Sequence, residues 1–322
     1  MTREFSVNPR VLLAVLEYRS GWVTRQDVPE KSREYPALYL DPNRKGLYKQ
    51  LAWVANSLNY GYYLWRAGVV PTWALADGAL YQSDATINAA TAGVQGFFSL
   101  LYDEPNWKIA VSEQGLFATY ARLFGYPFNF AFEPVHPDDL VQPPLQLPFE
   151  EGARWYMTGG PHAGWASGSA WAAIDFAPDG ELLGCVESDA WVTAMADGII
   201  VRTGNGAVVQ DLDGDGYEQT GWTILYMHLE TRDRVAQGTV VKAGDRLGHP
   251  SCEGGYSTGT HTHLARRYNG EWIAADGALP FNLDGWVSSG DGYEYDGWLS
   301  KDGNSIEALE GRKPENEITR AP

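Results

Sequence analysis

Gly259-Thr260-His261-Thr262-His263-Leu264-Ala265 sets two of the chain's six histidines two residues apart inside an alternating, strand-like run. In a strand, residues i and i+2 point to the same face, so both imidazoles project into one site. Two rings on one face can share a metal, or one can bind it while the other handles protons. Either use requires partners from elsewhere in the chain.

Those partners lie upstream. His162 stands in Gly159-Gly160-Pro161-His162-Ala163-Gly164, a glycine-rich approach that lets a backbone come close to an ion. Asp175 falls in Trp171-Ala172-Ala173-Ile174-Asp175-Phe176, which reads as a buried strand carrying one carboxylate, and His228 sits in Thr223-Ile224-Leu225-Tyr226-Met227-His228-Leu229. Two histidines, one aspartate and an open position filled by water describe a catalytic zinc site, whereas a fourth protein ligand describes a structural one.

The order of these motifs is specific. His162, Asp175, Ala194-Met195-Ala196-Asp197-Gly198-Ile199-Ile200-Val201, Tyr226-Met227-His228-Leu229, Val241-Lys242-Ala243-Gly244-Asp245-Arg246-Leu247-Gly248 and His261-Thr262-His263-Leu264 follow one another. Over residues 155–275 this resembles the lysostaphin-type, or LytM-type, zinc metallopeptidases, which are cell-wall endopeptidases. The resemblance implies zinc ligation by His162, Asp175 and His263, with His228 and His261 as catalytic histidines beside the metal. It further implies peptide cross-links of bacterial peptidoglycan as substrate and an extracellular or cell-envelope location, with any leader already removed. His228 and His261 would take the proton of the attacking water, stabilise the oxyanion and protonate the leaving amine. The interval of 13 from His162 to Asp175 is longer than the family's usual short spacing. Ala163 to Ala170, small and polar, are expected to loop out and return Asp175 to its strand. A non-catalytic wall-binding relative is the alternative; such relatives lack some of these side chains, and this chain keeps them all.

With 322 residues, 44% hydrophobic and 13% aromatic, the chain can build two domains with separate cores. Its net charge of −17 argues against nucleic acid, which needs a basic surface. No apolar run approaches the roughly 20 residues that span a bilayer; Val11 to Leu16 is far too short and lacks a signal-peptide cleavage context. Nothing in the sequence specifies an oligomeric state. Cys185 and Cys252 are the two cysteines. In the extracellular setting that the resemblance implies they would pair and tie the stretch after Asp175 to the loop before His261; two buried thiols are the other reading.

The N-terminal region reads as helical. Asn8 as cap and Pro9 in the first turn start a helix that stops at Ser20-Gly21, and further helical patterns run over 45–64, 87–101 and 113–124. The run from Asn8 to Glu17 with Ser20-Gly21-Trp22 resembles the start of lysozyme-like lytic transglycosylase domains. In those, one glutamate is kept protonated as a general acid by an apolar pocket, which would make Glu17 a glycan-cleaving residue. The other reading is a scaffold glutamate, and the serine and glycine stand farther from it than in that family. Tyr60, Tyr62, Tyr63 and Trp65 could stack on sugar rings or fill the core.

Pro134, Pro137, Pro143, Pro144 and Pro148 mark a semi-rigid linker containing an exposed His136. Beyond it, short β-like runs with glycine turns cover 191–202, 207–212, 221–229, 239–248 and 261–268. Asp211, Asp213 and Asp215 have the carboxylate spacing of a calcium loop. The position of an EF-hand's final glutamate holds Trp222, with Glu218 displaced, so an acidic hairpin tip is the preferred reading. His249, in a turn, reads as structural. The expectation is a multidomain α+β chain: a helical domain over 1–133, a linker over 134–150, an antiparallel β metallopeptidase domain over 151–308 and a flexible tail over 309–322.

Overall fold

The Asn8 side chain accepts a hydrogen bond from the Arg10 N–H at 2.9 Å and, with Pro9, starts helix α1 (Pro9–Ser20); Gly21, at φ 65°, ends it. The computed structural model describes every residue except Glu181 and Pro322. The chain divides into two units, residues 1–133 with 165–169 and residues 134–164 with 170–322.

In the first unit α1 is joined by α2 (Leu47–Arg66), α3 (Ala89–Ser99), α4 (Glu104–Ala110) and α5 (Leu116–Phe124). A small hairpin of Thr72–Ala74 and Leu80–Gln82, which together with α4 lies outside the sequence expectations, completes it. Leu12, Val15 and Leu16 recur at helical spacing and are buried with Val54, Phe97, Phe98 and Trp107. Helices α2 and α3 meet at glycine. A Cβ on Gly61 would lie 2.6 Å from the Ala92 carbonyl oxygen, and one on Gly93 2.7 Å from that of Leu58. Trp165–Ser169, the excursion between His162 and Asp175, belongs to this unit. Its Gly168 N–H donates to Asn56 Oδ1 at 2.7 Å, and Trp165 meets Phe5 edge-on at 6.3 Å.

The second unit is built on a nine-stranded sheet. Its strands are β1 (Arg154–His162), β2 (Ala173–Pro178), β3 (Gly198–Gly204), β4 (Ala207–Asp211), β5 (Trp222–Met227), β6 (Val240–Val241), β7 (Thr262–Tyr268), β8 (Glu271–Trp272) and β9 (Glu317–Thr319). The order is β9-β1-β2-β7-β5-β4-β3-β6, all antiparallel, with β8 folding back on β7. Ile174, Phe176, Val208, Ile224, Tyr226 and Leu264 alternate onto a core shared with Phe149, Trp155 and Met157. A four-stranded sheet of Asn282–Leu283, Trp286–Ser289, Trp298–Lys301 and Asn304–Glu307 belongs to the same unit.

Several expectations are corrected here. The runs 191–202 and 239–248 are each broken in two, and Val192–Thr193 pairs with Arg246–Gly248 in a separate ribbon. The Lys242 N–H donates to Asp245 Oδ2 at 2.7 Å and the Asp245 N–H to the Lys242 carbonyl at 3.0 Å, closing a turn where a strand was expected. The proline-rich stretch is no free linker, because Leu145, Leu147 and Phe149 are buried in the β core. His136 is mostly covered, with Nε2 3.2 Å from the buried Glu271 carboxylate. Nor is the tail loose: Ile318 is buried in β9, which pairs with Arg154, Trp155 and Tyr156, and Asn316 Nδ2 donates to the Met157 carbonyl at 2.9 Å.

Candidate active site

Pairing register brings the site together. His263 on β7 stands directly opposite Asp175 on β2 and opposite Met227 on β5. Residues paired across adjacent strands share a face, so the imidazole and the carboxylate both leave the side opposite Ile174 and Leu264. The β1–β2 ladder is irregular between Gly159 and His162, and such a break re-aims the strand end toward Asp175. His228 directly follows β5 and His261 directly precedes β7.

Asp175 Oδ1 lies 3.3 Å from His162 Nε2 and 3.2 Å from His263 Nδ1, and those two nitrogens are 2.9 Å apart. Each ring commits its other nitrogen to a carbonyl: His162 Nδ1–H donates to Gly160 at 2.8 Å and His263 Nε2–H to Gly164 at 3.1 Å. The inward nitrogens therefore present lone pairs to a carboxylate oxygen that is buried and receives no hydrogen bond. Two ring nitrogens and a carboxylate oxygen within 3.3 Å of one another are a donor set for a cation. Burial alone would raise the Asp175 carboxyl, but the rings of His162 and His261 hold it well below the usual range. Burial likewise opposes charge on His162, where the Asp175 carboxylate prevails and raises the ring; on His263 burial prevails and lowers it.

Beside this triad, the ring centroids of His228 and His261 are 4.5 Å apart. His228 Nδ1–H donates to the Glu253 carbonyl at 3.0 Å, and His261 Nδ1–H to that of Gly259 at 2.7 Å. Nε2 is thus the ring atom that each leaves uncommitted to a carbonyl; that of His261 is 3.6 Å from Asp175 Oδ2. Burial, then the neighbouring His261 and His263, pushes His228 down to about 4. The sequence did not point to Tyr295, whose ring stacks on His162 at 4.3 Å and 21°, nor to the Glu253 carbonyl. Both come from loops distant in sequence and carry no local signal.

The remaining candidates have partners of their own. Glu17 does not sit in a proton-retaining apolar pocket. Burial favours its neutral form, but the Thr24 hydroxyl at 2.6 Å, the Arg122 guanidinium at 3.0 Å and two N–H donors outweigh it and lower its pKa. Asp211, Asp213 and Asp215 do come together, with ligand-capable oxygens within 4.8 Å of one another. Their oxygens already accept from the N–H groups of Asp213, Asp215, Gly216 and Tyr217 and from the Thr220 hydroxyl. Glu218 is held by Arg202 at 3.0 Å and Arg267 at 2.6 Å, so this stretch is the acidic hairpin tip and no calcium role is assigned to it. Cys185 and Cys252 form a disulfide closing 67 residues of sequence. His249 donates to the Ala190 carbonyl at 2.8 Å and serves packing against Trp191.

Residues 179–275 match the profile described as Peptidase family M23, and residues 1–136 match that of the LasA N-terminal domain. The second match does not show the lysozyme-like resemblance expected of the helical region. Protease LasA of Pseudomonas aeruginosa is 26% identical over 308 residues, covering 89% of this chain and 69% of that protein. Beta-lytic metalloendopeptidase of Lysobacter enzymogenes is 27% identical over 154 residues, covering 47% of this chain and 83% of that protein. The solved structure of the M23 metalloprotease pseudoalterin is 22% identical with a TM-score of 0.43, covering 56% of this chain and 99% of that one.

Proposed function

We propose that this chain, whose β unit matches the Peptidase family M23 profile over residues 179–275, is a zinc endopeptidase that hydrolyses peptide cross-links of bacterial peptidoglycan. The observation that carries the reading is the buried, undonated Oδ1 of Asp175 between the lone pairs of His162 and His263. His162, Asp175 and His263 would hold the ion, and two imidazoles with one carboxylate are the ligand composition of a catalytic rather than a structural zinc site. If bound, zinc would supply Lewis-acid chemistry, lowering the pKa of a water towards about 7 and polarising a scissile carbonyl.

The chain's own contribution is proton handling and orientation. His228 stays neutral through the physiological range and can take a proton at Nε2. With the His261 ring 4.5 Å away, the two rings are placed to pass a proton from the water to the leaving amine. Gly160 and Gly164 fix the tautomers of His162 and His263, and stacked Tyr295 limits the rotation of the His162 ring. An extracellular setting accords with the disulfide. Among the described residues no helix is long and apolar enough to cross a membrane.

Elemental analysis of wild type and His263→Ala, paired with turbidity loss of cell-wall suspensions, tests this. The expected result is about one zinc per chain, lost together with lysis in the variant. Absence of zinc after reconstitution, or lysis that survives its loss, sinks the proposal.

A further inference from the structure

His228 carries a backbone φ of 65°, the left-handed region that few non-glycine residues adopt and that histidine enters more often than most. Such a conformation persists only where its surroundings over-determine it. Residues 251–253 supply that constraint. The His228 carbonyl accepts the Ser251 N–H at 2.7 Å and the Ser251 hydroxyl at 2.9 Å. Its ring donates from Nδ1 to the main-chain carbonyl of Glu253 at 3.0 Å.

Glu253 is fixed in turn. Its carboxylate accepts the Thr231 N–H at 2.7 Å and the Thr231 hydroxyl at 2.7 Å, with the Arg234 guanidinium at 3.5 Å. Its own N–H donates to the Ser251 hydroxyl at 3.0 Å. The β3–β4 turn presses on the same carbonyl so closely that a Cβ on Gly206 would lie 2.1 Å from it. Neighbouring Cys252 is bonded to Cys185. A surface glutamate with no function of its own needs none of this; a carbonyl that must stay in one place needs all of it.

We propose that Glu253 is a positioning residue for His228: its carboxylate, clamped by Thr231 and Arg234, locks the carbonyl that holds His228 as the Nδ1–H tautomer and leaves Nε2 free to take a proton. The use of that proton in catalysis rests on the endopeptidase reading; the tautomer does not.

The experiment is ¹⁵N-imidazole NMR on the full chain for wild type, Glu253→Ala and Glu253→Gln, with kcat and KM on a cross-link peptide and zinc content for each. Wild type shows His228 as a single Nδ1–H tautomer. Glu253→Ala shows mixed tautomers and a kcat about 10- to 100-fold lower, less than the roughly 10²–10⁴-fold that removing a positioned acid–base group outright would cost, with KM and zinc content held. Glu253→Gln, which keeps an acceptor for the Thr231 N–H, stays near wild type. An unchanged tautomer and kcat in Glu253→Ala overturns the proposal. If Glu253→Ala does not fold, Thr231→Val removes one clamp donor and decides in the same way. A wild-type Nδ1–H tautomer without cross-link hydrolysis would sink the endopeptidase reading and leave the positioning role standing.

Discussion

A buried carboxyl becomes an acid or an anion according to what donates to it, and Glu17 has four donors in Val23, Thr24 (twice) and Arg122. Its position at the helix end was legible in the chain. Its partners were not, because Arg122 lies 105 residues away. A folded pKa below the ordinary 4.5 means Glu17 adds stability above that value and loses it as pH falls through the folded pKa. Glu17→Gln is therefore expected to lower the melting temperature of the helical unit near neutral pH, with the gap to wild type closing on acidification. Wall lysis should be unchanged in the same variant, and its loss would restore a glycan-cleaving role to Glu17. The histidines show the converse. Two residues apart, His261 and His263 were expected to reach one site, and they do, facing opposite oxygens of Asp175.

At the scale of elements, caps and periodicity read well. Asn8, Pro9 and Gly21 bound α1 as expected, because each acts on its own few residues. Strand breaks read poorly. The turn at Lys242–Asp245 is made by a side chain closing on its own backbone within an otherwise apolar run. The α2–α3 crossing depends on two glycines whose value appears only across 32 residues of sequence. Gly61→Ala or Gly93→Ala places a methyl against a carbonyl oxygen that cannot yield. Each should cost about 1–3 kcal/mol by overpacking, despite the better helix propensity of alanine. Denaturant melts of the helical unit measure this, and an unchanged or raised midpoint would show that the helices separate freely.

For the whole molecule, the informative segment is the C-terminal one. Residues 309–322 look polar and terminal, yet β9 edges β1, and β1 ends in the candidate ligand His162. Removing 309–322 should lower the melting temperature of the β unit by several degrees, at about 2–4 °C per kcal/mol for a unit of this size. It should also weaken zinc in competition with a chelator. Retention of both would mean that β1 holds its position without an edge partner.

The sequence by itself determined what is local or compositional. It specified an acidic two-part α+β chain, helix ends set by caps, and the histidines and aspartate able to form a metal site. Only tertiary structure decided which of these groups meet. It returned Asp175 to His162 across 12 residues of intervening chain, anchored 165–169 on Asn56, satisfied Glu17 and Glu218 with arginines, and brought Tyr295 and the Glu253 carbonyl to the histidines. Caps and periodicities act over a few residues. Hydrogen-bond satisfaction of a buried polar group depends on whatever the fold places beside it, and neither composition nor spacing records that partner.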